Sequence, residues 1–410
     1  MISIISRYQL TRHIHIYALF VPFALLQDRF GNCYNRFVMD TKNTRQSNIE
    51  LLRIFAALGV IILHLNNGNQ GGFFLKVERF SSCQFVVILF ETVAISAVNV
   101  FVLLTGYFMA GKKQADLFKP AKLFIDIFLF AGFFFFGKLI STNGVPTENF
   151  INYIAFYNWF IFIYAGLYVL SPFINKLWRS LSGRNKALLM ALMFVLFSLY
   201  PEIIDSAHLQ GVTAISYEGD MAGYTIVHFL LMYLFGCSLR DIENNKENVK
   251  KTAAKLLHIS ESDFNAKTLP VLYVLDLALM MALAYLEAYI TGNGPHETIM
   301  FNYNNPLVIF QAILLFLMFK SIKIPDNKVI NLIAKSAFYV YIIHHNFIVI
   351  FNIHPYRIDN PLLLAGFLVG MGLLIFVLCF VCFIIYDLTF GKLIALIFRK
   401  WEKGRYIKID

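Results

Sequence analysis

Two ionisable side chains, Arg53 and His64, occur within one long apolar stretch of the sequence. They are eleven residues apart, so an α-helix would place both on one face, about 16 Å apart along its axis. An imidazole can accept a proton near neutral pH, and a guanidinium can bind an anion. Ionisable groups inside a membrane usually face a protein interior or a wet cavity, so the pair predicts a functional site. Two structural alternatives stay open: Arg53 could reach the membrane surface or pair with Glu50, and His64 could be a buried, hydrogen-bonded residue.

The pair lies on the first of ten apolar runs, which predict an all-α polytopic membrane protein with a bundle of about ten transmembrane helices. The 410 residues are 58% hydrophobic and 16% aromatic, with a mean hydropathy of +0.64. These values are typical of a chain that spans a membrane and not of a soluble domain. The runs are 49–66, 85–109, 120–140, 152–174, 186–201, 223–239, 269–291, 306–320, 330–352 and 361–386.

The distribution of Lys and Arg predicts how these helices are oriented. Every second connection, together with the C-terminal segment, holds 24 Lys and Arg, whereas the intervening connections hold four. Positively charged loops favour the cytoplasmic side, so both termini should lie inside. The basic residues behind the net charge of +10 thus lie mostly in short loops, where they set orientation. No nucleic acid is therefore expected as a partner, and the lipid bilayer is.

With this orientation, the ionisable residues of the spans fall at two depths. Exposing several such groups to lipid would be costly, so a shared internal cavity is expected. The residues toward the inner side are Arg53, Asp126 and Asp276, and those toward the outer side are His64, Glu91, His228, Glu287 and His344.

The first span also carries a family resemblance. Residues 45–64 read R-x-S-N-I-E-x-L-R-x-x-A-x-x-x-V-x-x-x-H, which resembles the first span of the acyltransferase family 3 membrane enzymes, with Arg53 and His64 at matching positions. Four later stretches are similar to this family in the same order. They are VNVFVLLTGYFMAGKK (98–113), NWFIFIYAGLYVLSPFINKL (158–177), FLLMYLFGCSLR (229–240) and SAFYVYIIHHNFIVI (336–350). Packing between helices is the alternative interpretation of these stretches, and His344 is the residue within them for which a site role is considered.

The resemblance implies an O-acyltransferase, and most simply an O-acetyltransferase, of the bacterial cytoplasmic membrane. Acetyl-CoA or another acyl-CoA would be the donor substrate, with no permanently bound cofactor and no metal, and a surface polysaccharide or lipid-linked sugar would be the acceptor. A sugar hydroxyl needs a base to take its proton, a role that suits His64, although a transient acyl carrier stays open. Glu91 or Glu287 could hold the far ring nitrogen of that imidazole, and His344 could complete the outer cavity.

The donor would enter from the inner side. The phosphates of coenzyme A could be held by Arg53 together with Lys112, Lys113 and Lys119, which follow the second span. Many family members carry an Arg-rich cluster after that span. Lysine keeps the charge but loses the bidentate geometry of arginine toward phosphate.

Three segments are expected: residues 1–38, an uncertain N-terminal segment before a possible start at Met39; residues 39–400, the transmembrane domain; and residues 401–410, a cytoplasmic tail. The five cysteines give no disulfide framework. A proton-coupled multi-pass transporter is the alternative function, since buried charges and histidines also serve carriers. However, the paired repeats or broken helices that transporters often show are not visible. A membrane scaffold would leave Arg53 and His64 unexplained, and protein partners cannot be predicted.

Overall fold

The computed structural model describes residues 45–142, 158–207, 221–244, 268–354, 356–399 and 405–408. The uncertain N-terminal segment 1–38 lies outside the described residues. The helices are α1 (Ser47–Asn66), α2 (Phe73–Lys76), α3 (Ser82–Ala94), α4 (Ala97–Met109), α5 (Phe118–Thr142), α6 (Trp159–Ser180), α7 (Gly183–Phe194), α8 (Tyr200–Ser206), α9 (Ile226–Asn244), α10 (Leu269–Thr291), α11 (Pro306–Ser321), α12 (Lys328–Lys335), α13 (Ala337–Ile350), α14 (Pro361–Tyr386) and α15 (Lys392–Arg399).

The protein is a polytopic membrane protein built mainly of helices. Among the described residues, eight helical segments are long and apolar enough to cross a membrane, or nine if the pair α12 and α13, bent by 53°, forms one span. The predicted run 223–239 coincides with α9, which falls outside that set because Arg240, Asp241 and Glu243 lie near its end. Eight or nine such segments therefore stand against the ten that the sequence predicted, and the exact count and the orientation of the termini remain predictions.

Helix α1 is the centre of the bundle. It packs against α3, α4, α11, α12, α13 and α14. Ile49, Leu52, Ile61 and Leu65 are fully buried along its length. A helix that is contacted on most of its surface can hold polar side chains away from lipid, which the predicted site requires.

Helices α4 and α9 share the most extensive helix–helix contact in the described structure. A Cβ atom at Gly106 would lie 2.0 Å from the carbonyl oxygen of Tyr233, and one at Gly236 would lie 2.2 Å from that of Leu103. Both glycines therefore let the two backbones approach closely, as small residues do between membrane helices. This close packing matches the structural interpretation of the 98–113 stretch.

Two short strands depart from the all-α expectation. Strand β1 (Gln114–Asp116) follows α4, and strand β2 (Tyr406–Lys408) lies in the segment predicted as a tail. The strands pair antiparallel, and Arg405 donates two hydrogen bonds of 2.8 Å to the two carboxylate oxygens of Asp116. The C-terminal segment is therefore attached to the loop that carries the predicted donor lysines.

Candidate active site

His64 lies near the end of α1 and is held by its own helix. Its Nδ1 is 2.8 Å from the carbonyl oxygen of Val60, one turn earlier. A carbonyl oxygen can only accept, so Nδ1 must carry the proton and donate it. The other nitrogen, Nε2, is then the unprotonated and basic one.

His344 on α13 repeats this arrangement and lies against His64. Its Nδ1 is 2.8 Å from the carbonyl oxygen of Val340, and the two imidazole centroids are 4.6 Å apart with an interplanar angle of 79°. The side chain is 2% exposed, and its Nε2 has no hydrogen-bond partner among the described residues. Two imidazoles from distant parts of the chain, each with Nε2 as the basic nitrogen, therefore meet in the interior.

Glu91 does not hold the far nitrogen of His64, contrary to the sequence-based expectation. The Nδ1 atom is already occupied by the carbonyl of Val60, because the side chain folds back along its own helix. Glu91 instead accepts a hydrogen bond of 2.9 Å from Asn66 Nδ2, and Asn66 also donates to the carbonyl of Val87 at 3.2 Å. Asn66 lies two residues after His64 on α1, so Glu91 fixes the end of the helix that carries the imidazole.

Glu287 and His228 contact other groups. Glu287 Oε1 accepts from the backbone amide of Ile299 at 3.3 Å, which attaches α10 to the following outer segment. His228 Nε2 is 2.8 Å from Asn99 Oδ1, and Asn99 Nδ2 donates to the carbonyl of Tyr303 at 2.8 Å. The imidazole and amide of that pair join α9 to α4. These contacts join helices, although Nδ1 of His228 has no hydrogen-bond partner among the described residues. Of the predicted outer residues, His344 is the one whose ring is seen against His64 in the described structure.

A series of neighbouring aromatic rings extends from the histidine pair, and none of these residues was predicted to belong to the site. The ring of Tyr341 is 6.2 Å from His344 and 5.2 Å from Phe160. Trp159, next to Phe160, is 4.5 Å from Tyr224, whose ring is 4.8 Å from that of Tyr303. The overall aromatic content of 16% was the available signal, but ordinary helix packing produces the same pattern.

Arg53 pairs with Glu50, which is one of the alternatives that the sequence left open. Its Nη1 is 2.5 Å from Glu50 Oε1, and its guanidinium lies 5.1 Å from the ring centroid of Phe108. Arg45 lies 3.6 Å from the other oxygen of Glu50. The Arg53 side chain remains 27% exposed despite the ion pair.

A second polar group lies at helix ends and was not predicted from the sequence. We call it the Tyr107 cluster, and it consists of Tyr107, Arg240, Glu243 and Lys320. Arg240 Nη1 donates to Tyr107 Oη and to Glu243 Oε2, each at 3.1 Å. Lys320 Nζ is 3.1 Å from Glu243 Oε1, and Tyr107 Oη donates to Glu243. These residues come from the ends of α4, α9 and α11, which are remote in sequence, so spacing could not reveal them.

The three predicted donor lysines lie on the loop after α4 and at the start of α5. Burial, together with the nearby charge of Lys119, lowers the pKa of Lys112. The ammonium of Lys119 is 5.7 Å from the ring centroid of Tyr168, and Lys113 is exposed. Strand β1 begins directly after Lys113, so pairing with β2 fixes the course of this loop.

The two buried aspartates differ from one another. Asp126 Oδ2 accepts hydrogen bonds from Lys122 at 2.7 Å and from Tyr339 at 3.0 Å, while Oδ1 accepts from Tyr386. Asp276 is also buried, but neither carboxyl oxygen has a hydrogen-bond partner within the described part of the chain. Asp126 therefore joins α5 to α13 and α14, and its contacts explain its burial without a functional role.

A groove of about 780 Å³ lies between α3 and α10, away from the histidine pair. Its lining is largely apolar and includes none of the predicted site residues. The lining residues are Phe80, Ser81, Ser82, Phe85, Val86, Ala278, Met281, Ala282, Tyr285 and Pro361.

The fold and the buried groups together define a class: a multi-pass membrane protein with a histidine pair in its interior and cationic side chains on α1 and at the ends of α9 and α11. A family model for an acyltransferase domain matches residues 46–387, which is most of the chain. The protein therefore belongs to acyltransferase family 3, as its first span indicated, and is a membrane acyltransferase. Neither the comparison with curated proteins nor that with solved structures found a match.

Proposed function

We propose that this membrane acyltransferase is an O-acyltransferase, most simply an O-acetyltransferase, that uses acyl-CoA from the cytoplasm. The acceptor is a hydroxyl of a surface polysaccharide or of a lipid-linked sugar, presented at the outer face of the bacterial cytoplasmic membrane. The observation that carries this proposal is the contact between His64 and His344, in which both Nδ1 atoms bond to backbone carbonyls. That arrangement leaves a basic Nε2 on each ring inside the bundle.

In the proposed reaction, His64 is the general base. Its Nε2 takes the proton of the acceptor hydroxyl as the oxygen attacks the thioester carbonyl. The tetrahedral intermediate then collapses, the carbon–sulfur bond breaks, and the imidazolium returns the proton to the departing sulfur. The products are the O-acyl ester and free coenzyme A. The 4.6 Å separation of the rings lets His344 offer its Nε2 to the protonated state of His64.

Arg53 serves the donor in this proposal, together with Lys112, Lys113 and Lys119. Arg53 lies eleven residues before His64 on the same helix, so about 16 Å separates the two along the axis. An acyl-CoA bound by its phosphates at the inner side would extend its pantetheine arm along α1 toward the imidazole. Replacing Arg53 with Ala should then raise the KM for the donor or lower turnover.

The test uses membranes that contain the full chain. They are supplied with acetyl-CoA labelled on the acetyl group, and transfer or hydrolysis of the label is measured. We expect activity with the native protein and its loss in His64→Ala, while insertion and thermal stability are retained. His296→Ala is the matched control, because His296 stacks on Phe74 in an outer segment and should leave activity unchanged.

Three outcomes separate the alternatives. Unaltered activity in His64→Ala would remove His64 from the chemistry. Acid-quenched protein that carries the acetyl label on His64 would replace the base by a transient acyl carrier. Uptake or efflux of a solute without any acyl transfer would favour the proton-coupled transporter.

A further inference from the structure

The Tyr107 cluster has the charges and donors of a phosphate site. The cations of Arg240 and Lys320 both lie 5.1 Å from the ring centroid of Tyr107, which is itself 1% exposed. Lys320 Nζ also contacts Gln46 Oε1 at 2.6 Å, directly before the first residue of α1. The cluster therefore joins the ends of α4, α9 and α11 to the start of the helix that carries Arg53 and His64.

The charges in this region do not balance among the described residues. Glu243 is shared by Arg240 and Lys320, and Glu50 is shared by Arg45 and Arg53. Four cations thus face two carboxylates. The side chains of Arg240 and Lys320 are 40% and 22% exposed, so an anion from solution can reach them. Guanidinium and ammonium groups with spare N–H donors are the groups that bind phosphate most strongly.

The cluster adjoins Arg53 through one aromatic side chain. The Arg53 guanidinium lies 5.1 Å from the ring centroid of Phe108, and that ring lies 5.1 Å from the ring of Tyr107. A ligand whose phosphates occupied the Tyr107 cluster would thus lie next to Phe108 and Arg53, at the inner part of α1. His64 lies beyond them on the same helix.

We propose that Arg240 and Lys320 of the Tyr107 cluster, and not the loop lysines, bind the phosphate groups of the acyl donor. This inference rests on the proposed use of acyl-CoA. In this inference, Arg240 and Lys320 bind the phosphates of the donor, and Arg53 lies beside its pantetheine arm. The loop lysines Lys112, Lys113 and Lys119 are then accessory to donor binding.

The test compares two donors that differ only in the nucleotide part. Acetyl-CoA carries the phosphates, and acetyl-pantetheine lacks them. In Arg240→Gln and in Lys320→Gln, we expect the KM for acetyl-CoA to rise by about tenfold, the factor for losing one charge-assisted contact. The KM for acetyl-pantetheine should be unchanged in both variants.

Lys323→Gln is the control, because this exposed lysine lies three residues after Lys320 and its loss removes the same charge. It should change neither KM. Binding of 3′,5′-ADP, measured directly on the purified proteins, gives a readout that does not depend on turnover. It should weaken in Arg240→Gln and Lys320→Gln and stay unchanged in Lys323→Gln. Thermal unfolding of each variant shows whether the bundle is intact.

The possible failures can be told apart. If native membranes transfer no acetyl from acetyl-CoA, the proposed function itself fails. If transfer occurs but both KM values rise equally, or if only Lys112→Gln and Lys119→Gln raise the KM for acetyl-CoA, the phosphate site is not at the Tyr107 cluster. An effect of Arg240→Gln that appears only in vesicles of anionic lipid would assign the cluster to lipid headgroups instead.

Discussion

The replacement of His344 by Phe should separate the activity of the protein from its stability. Phe keeps a planar ring against His64, where the centroids are now 4.6 Å apart. It removes the Nε2 atom, which has no hydrogen-bond partner in the described structure. The carbonyl of Val340 loses the imidazole donor, but as a helix carbonyl it keeps the main-chain donor four residues later.

The expected magnitudes follow from these contacts. A buried polar atom without a partner costs about 1–3 kcal/mol, so its removal offsets the cost of fitting a slightly larger ring. The free energy of unfolding should therefore be unchanged or higher. Loss of a group that assists proton transfer should lower kcat by about 100-fold, which corresponds to about 2.7 kcal/mol in the barrier.

The assay measures labelled acetyl transfer and thermal unfolding on the same purified preparation. We expect a large fall in kcat with little change in the KM for acetyl-CoA and no fall in Tm. His296→Phe is the control, since its imidazole stacks on Phe74 of α2 and not on His64. Native kcat in His344→Phe, or a loss of activity that tracks a lower Tm, would refute the reasoning.

Four further predictions concern the scaffold. Gly106→Val should destabilise the protein by about 3 kcal/mol or more, because its Cβ would lie 2.0 Å from the Tyr233 carbonyl oxygen. Thermal unfolding measures this loss. Gly137→Val is the control, since a Cβ at Gly137 would meet open space. Asp116→Arg should detach the C-terminal strand and expose it to protease, and the double exchange with Arg405→Asp should restore protection. Hydrogen bonds from Arg405 lower the pKa of Asp116 in the folded protein. The protection of the C-terminal strand from protease should therefore be complete above about pH 3.9, the usual pKa of Asp, and be lost as the pH falls through the folded pKa. Burial lowers the pKa of Lys76 to about 8. Between about pH 8 and pH 10.4 the unfolded chain therefore binds one proton more than the folded chain, so the free energy of unfolding should rise with pH over this range. Lys76→Met should remove this dependence.

Much of the fold could be predicted because the local composition of a chain indicates where it spans a membrane. The apolar runs, their approximate lengths and the family were available from neighbouring residues alone. The interruption at Ile95 and Ser96 between α3 and α4 could not be predicted, because 85–109 is one continuous apolar run in the sequence. The pairing of β2 with β1 was also hidden, because it depends on a contact between residues almost 300 positions apart.

The site was predictable only as far as one helix defines it. The spacing of Arg53 and His64 follows from the geometry of α1, whereas the partner of each had to come from the structure. His64 could have taken a carboxylate or a carbonyl as its Nδ1 partner, and the local backbone of Val60 provides the nearer acceptor. Arg240 and Lys320 carry no such local signal, since each reads as an ordinary basic residue at the end of an apolar run.

The partners of each buried polar group, more than its depth, separate structural from chemical roles in this bundle. Asp126 takes hydrogen bonds from Lys122 on its own helix and from Tyr339 and Tyr386 on two others, so its carboxylate holds three helices together. His64 and His344 instead bond through Nδ1 to their own helices, and this bond fixes the proton on Nδ1 and leaves Nε2 as the basic nitrogen. A buried acceptor that packing leaves without a protein partner destabilises the fold unless a substrate hydroxyl or a second imidazole uses it. In the proposed reaction, Nε2 of His344 gains such a partner when His64 is protonated, and the acceptor hydroxyl approaches Nε2 of His64.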